Sequence, residues 1–221
     1  MKNIDFIVAE KLTDKLKCRG VAFNDDGFPV FSMNSFADEE PSFICPWQHR
    51  NYYQPLDTAL SFFMPDNLIY PRFEKIADEV DEFGKFKSVI SMDLSVSRNM
   101  PLEVQKFNML MNALYTTYLA SEGIKIIPSL RCGDEKTIDY LLPYKDAPLV
   151  ALGLHGCKGM SFADYDEFIF RCEMIILQPR KLLLYGKPTK AEKEILDDIG
   201  IPYRVYPDFQ TLYKRGGSQD D

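Results

Sequence analysis

Residues 88–134 read SVISMDLSVSRNMPLEVQKFNMLMNALYTTYLASEGIKIIPSLRCGD, and this stretch decides the fold class. A short apolar run, Ser88-Val89-Ile90-Ser91-Met92, leads into a polar turn that begins at Asp93 and ends at Pro101. Val104, Phe107, Leu110, Met111, Leu114 and Tyr118 then recur at helical spacing until Gly123 stops the pattern. Pro101 falls where a first helical turn tolerates proline. A second apolar run, Ile124 to Pro128, ends in another polar turn, Ser129 to Asp134. The unit is strand, helix, strand, with polar residues gathered after both strands.

The same rhythm continues on either side. Ala59 to Met64 reads as a strand, and Phe73, Ile76, Ala77, Val80 and Phe83 mark a helix closed by Gly84. Downstream, a short helix over Thr137–Leu142 is stopped by Pro143, and Pro148–Leu154 is the next strand. Phe162–Leu177 is helical and Lys181–Tyr185 extended. Thr189 and Glu192 have the spacing of a capping box, Gly200 ends that helix, and Pro202–Tyr206 is the last strand. About six strands alternating with helices imply an α/β protein with a mainly parallel sheet and right-handed crossovers. A doubly wound open sheet is the first architecture expected. A partial (β/α) barrel is the second, since the strand count falls short of eight.

Before this core, residues 3–17 show a helical apolar stripe. Gly20–Phe23 and Phe28–Phe31 flank Asn24-Asp25-Asp26-Gly27, which predicts a hairpin. Residues 34–58, with prolines at 41, 46 and 55, read as a connection wrapping the core and carry Trp47, His49, Tyr52 and Tyr53. The expected organisation is an N-terminal helix, hairpin and connection over 1–58, an α/β core over 59–214, and a disordered tail over 215–221.

Lys and Arg number 26 against 33 Asp and Glu, a net charge of −7. Such a balance argues against a protein that coats duplex DNA, whose affinity comes mostly from neutralising phosphates. No signal peptide and no bilayer-length apolar run is read, and the five cysteines show no C-x-x-C pair. A reduced, cytoplasmic setting is expected.

In parallel α/β folds the loops after the strands share one edge, where ligands bind. That rule selects Asp66, Asp93, Ser95 and Arg98, then Arg131 and Asp134, then His155 and Lys158, and finally Lys187. His155, Asp93 and Asp134 are the catalytic candidates, with His155 as the proton carrier because imidazole titrates nearest neutrality. Arg131, Ser95, Arg98, Lys158 and Lys187 are the ligand-binding candidates. Capping and turn roles compete at Asp93, Ser95 and Asp134. Arg131, directly after an apolar strand, must reach solvent, pair with an acid or hold an anion. Gly153 to Gly159 is glycine-rich and could cradle a phosphate, although it matches no phosphate-loop fingerprint. Cys132 and Cys157 fall on the same edge. A divalent metal is a possible cofactor, held by Asp66, Asp93 and Asp134.

The pieces Asp93-x-Ser95, Met100-Pro101, Gln105, Asn108, Gly123-Ile124, Ile127-Pro128, Gly133-Asp134, Gly153 and Tyr185-Gly186-Lys187 resemble the family catalogued as domain of unknown function 4417. Phe62-Phe63 also resembles that family's preceding strand. The resemblance covers roughly the last two thirds of the chain. It implies a phage or mobile-element origin and a coherent fold, without an established activity. Two positions depart from the pattern: Met92 stands where proline is expected, and cysteine stands where tryptophan is expected near Arg131-Cys132.

Three functions remain open. The strand-end edge binds or processes a phosphate-bearing small molecule or nucleotide. Alternatively the 34–58 connection docks on a host or phage protein. The third is a single-stranded nucleic-acid enzyme with Trp47, Tyr52 and Tyr53 as stacking platforms.

Overall fold

A computed structural model of the chain describes residues 3–154 and 164–208. His155, Lys158 and the expected tail over 215–221 lie outside the described residues. Among the described residues seven strands are present: β1 (Phe43–Pro46), β2 (Thr58–Ser61), β3 (Ser88–Ile90), β4 (Ile126–Ile127), β5 (Leu149–Gly153), β6 (Lys181–Tyr185) and β7 (Tyr203–Tyr206). The helices are α1 (Asn3–Cys18), α2 (Asp66–Phe83), α3 (Leu102–Ser121), α4 (Asp164–Leu177) and α5 (Lys190–Ile199).

All strand pairs are parallel, and the strands lie in sequence order, β1 to β4 in one ladder and β5 to β7 in the next. Ser129 bridges Ala151 in parallel, with Leu130 N–H donating to Ala151 O at 2.9 Å, so the two ladders run on into each other. A doubly wound sheet reverses its order partway; this one does not. Of the two architectures expected, the order fits the barrel-like one, since repeated crossovers of one hand place every helix on the same face. Two separate clusters of buried side chains agree. Leu60, Val89, Ile126, Val150, Leu182 and Leu184 pack with the helices. Ile44, Ala59, Ile90, Ile127, Ala151, Leu183, Tyr185 and Tyr206 point the other way into a cluster that contains no helical residue.

The sheet is strongly curled. Phe63, just past β2, stacks on Tyr185 of β6 with ring centroids 5.6 Å apart. Four strand spacings of a flat sheet would hold β2 and β6 roughly 19 Å apart. The segment before β1 also reaches β6 and β7. Tyr206 donates its hydroxyl to Pro41 O at 2.8 Å, and Glu40 pairs with Lys181 at 2.6 Å and Arg204 at 3.6 Å. Among the described residues no ladder joins β7 to β1, so the barrel stays open there.

Gly153 is required by this curl. A Cβ on Gly153 would lie 2.6 Å from the Phe63 ring. Gly153→Ala is therefore expected to cost about 1–3 kcal/mol through overpacking, read as a lower midpoint in urea unfolding.

Several elements differ from the expectation for identifiable reasons. β1 lies inside the stretch read as a wrapping connection, where four residues between Pro41 and Pro46 gave too short a pattern to register. Helix α2 begins at Asp66 and runs through Pro71, although an internal proline removes one helical hydrogen bond. The segment expected as a helix over 137–142 is a 3₁₀ helix, Ile138–Tyr144, that includes Pro143. The predicted hairpin is reduced to one antiparallel bridge, Phe23 to Pro29. Its turn is held by Asn24, whose Oδ1 accepts from the N–H groups of Asp26 and Phe28. The capping box at Thr189 and Glu192 forms as read, and Gly200 closes α5 in the left-handed region at φ 75°.

Candidate functional site

The exit from β3 is organised by one face of α3. Asn108, Asn112 and Thr116 are spaced four apart and form a single polar stripe. Asn108 donates to Ser95 O at 2.8 Å. Asn112 accepts from Leu94 N at 2.9 Å and donates to Leu94 O at 3.2 Å, and Thr116 Oγ1 accepts from Met92 N at 3.2 Å. Four helical residues rise about 6 Å, close to the roughly 6.6 Å of two extended residues, so the stripe serves residues 92–95 much as a neighbouring strand would. Those backbone groups are thereby satisfied and the turn is held still.

Two rungs join this segment to the exit of β4. Ser91 donates its hydroxyl to Ser129 Oγ at 2.9 Å and accepts from Ser129 N at 2.6 Å. Arg131 grips Asp93 with Nε to Oδ1 at 2.7 Å and Nη2 to Oδ2 at 3.1 Å. Burial pushes the Asp93 carboxyl above its ordinary pKa, while the Arg131 charge and hydrogen bonds work against that shift. The two-pronged geometry is that of a carboxylate with a guanidinium.

The remaining candidates have defined places. Asp66 Oδ1 accepts from both the N–H and the hydroxyl of Ser95, at 3.1 and 3.0 Å, and so ties the start of α2 to the β3 exit. Asp134 Oδ1 accepts from Lys136 N at 3.0 Å, and Thr137 Oγ1 donates back to Asp134 O at 3.0 Å, the pattern of a turn-forming aspartate. Gln105 reaches toward Asp134 and donates to Met100 O at 2.9 Å. Its side chain passes so close to Gly133 that a Cβ there would lie 1.8 Å from Gln105 Oε1. Arg98 and Lys187 are exposed. Thus Asp93, Arg131, Ser95 and Asp134 gather around the exits of β3 and β4.

The expected metal trio does not form. Among the described residues no three His, Cys, Asp or Glu side chains gather as metal ligands. Asp66 turns to Ser95, Asp93 to Arg131 and Asp134 to its own turn. The stacking platform is also altered. Trp47 is buried, with Phe83 at 4.6 Å on one side and the Arg50 guanidinium 4.1 Å from its ring. It has no open face to offer a base, whereas Tyr52 is exposed. No helix among the described residues is long and apolar enough to cross a membrane.

Beside the Asp93–Arg131 pair lies a hollow of about 160 Å³. Its floor and walls are Val96, Leu130 and Leu152 with Ile169 and Phe170 of α4; Arg131, Cys132, Gly133 and Gly153 line it from the strand exits. The polar group on the helix side is Glu173, which is 5% exposed. Glu173 Oε1 accepts from Cys132 N at 3.1 Å. Burial pushes its carboxyl up to about 7, against the opposing pull of the Cys132 donors and the Arg131 charge. The other titratable groups nearby are the Cys132 thiol and, next to that thiol, Asp134 and Cys172. Burial and the Glu173 carboxylate raise the Cys132 thiol, which opposes thiolate formation and a nucleophilic role.

Glu173 was not among the residues selected from the sequence. The signal was there: Ile169, Glu173 and Leu177 share one helix face at spacing four, and an acid on an apolar stripe must be buried or break the stripe. The rule of strand-end loops looks only at loops and passes over such a residue.

Fold and site define a parallel α/β protein with a small, mostly apolar hollow at the carboxyl end of its strands. The chain belongs to the family described as Domain of unknown function (DUF4417), whose model matches residues 25–203. It is also similar to the Gene 1 protein of Mycobacterium phage L5, with 27% identity over 183 residues, covering 78% of this chain and 76% of that protein. No solved structure matches the chain.

Proposed function

We propose that this phage-type protein binds a phosphate-bearing small molecule or nucleotide in the hollow at the exits of β4 and β5. The observation that carries the reading is the meeting of Arg131 and the buried Glu173 carboxyl in one cavity at the strand ends. Strand-end crevices of parallel sheets are where α/β proteins place ligands, and mostly apolar pockets with a few convergent polar groups are the usual form. At about 160 Å³ the hollow is smaller than the roughly 300–1,000 Å³ of a drug-sized site, so it takes one ring or head group. In this reading Arg131, kept in place by Asp93, supplies positive charge. Arg98 and Lys187 add cations from the β3 and β6 exits on the same edge.

The test is a calorimetric titration of the full chain with nucleoside monophosphates and with inorganic phosphate, beside Arg131→Lys. Lysine keeps a charge for Asp93 but loses the planar fork. Binding by the parent and at least tenfold weaker binding by Arg131→Lys is the expected result. Equal affinity in the two proteins refutes the assignment of Arg131.

A second reading, a docking factor for a host or phage protein, draws on one observation. Tyr52 and Leu56 in the 34–58 stretch are 75% and 81% exposed.

A further inference from the structure

We propose that Glu173 recognises the ring of the ligand, and that the ring is one that presents N–H donors, as the edge of guanine does. This inference rests on the nucleotide reading given above and adds which end of the nucleotide the hollow takes. The geometry points to the base end. Leu130, Leu152, Ile169 and Phe170 surround the space with hydrocarbon, which suits a flat ring. Phe170 adds an aromatic wall.

Glu173 already meets one backbone donor and lies near a cation. Its Oε1 accepts from the Cys132 N–H, and Arg131 lies on the same wall of the hollow. A ligand that donates N–H groups to Glu173 draws it into the carboxylate form, and a carboxylate only accepts. A ring edge carrying two adjacent N–H groups completes it; an edge that presents an acceptor meets lone pairs. In a cavity walled by hydrocarbon the mismatch is costly, because water cannot reach the unmatched group. Adenine, which offers a ring acceptor beside its amino group, is the natural discriminating partner.

The measurement is a binding titration of the full chain with GMP, AMP and inorganic phosphate, repeated on Glu173→Gln. Glutamine keeps a carbonyl oxygen for the Cys132 N–H, so the local hydrogen bond survives while the second acceptor is lost. GMP is expected to bind at least tenfold more tightly than AMP. Glu173→Gln is expected to weaken GMP at least tenfold and to change AMP less than twofold. Equal binding of GMP and AMP, or an equal loss of both in Glu173→Gln, overturns the base assignment and leaves the phosphate-ligand reading standing. Binding by neither nucleotide nor phosphate overturns both.

Discussion

At pH 8, Glu173→Gln is expected to be more stable than the parent protein by about 2–3 kcal/mol, and at pH 4 the two should be nearly equal. Glu173 is almost fully buried, and its carboxyl is pushed from the ordinary 4.5 up to about 7 by that burial. A raised pKa means that the folded state favours the protonated form. The corresponding stability is fully present below the unfolded-state pKa and is lost as pH rises through about 7. A difference of about 2.5 pKa units corresponds to about 3 kcal/mol at most. Glutamine has no proton to lose and keeps its stability across that window. Urea unfolding of both proteins from pH 4 to pH 8 reads the effect. Parallel pH profiles for the two proteins would show that Glu173 titrates normally. A gain in stability on removing a residue is the mark of a group retained for something other than the fold.

The opposite outcome is expected at Arg131. Arg131→Met should cost about 3–5 kcal/mol, because it leaves the Asp93 carboxylate buried with no cation. The asymmetry of the pair makes this specific. The Asp93 side chain is 7% exposed and the Arg131 side chain 26%, so the arginine can turn to water when its partner is removed and the aspartate cannot. Asp93→Asn should therefore cost less than Arg131→Met, and the double variant should recover much of the loss. The Arg131→Met deficit should also shrink as pH falls, since protonation of Asp93 removes the unpaired charge. A double variant as unstable as Arg131→Met alone would mean that packing of the arginine stem, not charge, is what matters there.

The parts of this architecture that could be read from the sequence are those written in local chemistry. The Val89-Ile90, Val150-Ala151 and Leu182–Leu184 runs announce buried parallel strands, and Thr189 with Glu192 announces a helix start. Strand order is not local. The sequential order lies in long-range pairings such as Val89 with Ile126, which no short window of sequence contains. β1 escaped notice because four residues between prolines carry no period. The site divides along the same line. Asp93 and Arg131 were selected by their place after apolar strands, and they do meet. The competing turn role at Asp134 was also legible, since the local bonds to Lys136 and Thr137 need only the sequence Asp134-Glu135-Lys136-Thr137. Asn108 enters the sequence reading only through the family resemblance, and Asn112, Thr116 and Glu173 do not enter it, because they sit on helices. Their importance comes from facing a neighbouring element.

The most direct test of the account is the titration of the Glu173 side-chain carboxyl by carbon NMR, in the free protein and with GMP added, using Glu173→Gln to assign the signal. The account predicts a midpoint near 7 in the free protein that moves down when GMP donates its N–H groups to the carboxylate. A midpoint in the ordinary glutamate range, unmoved by GMP, would contradict it.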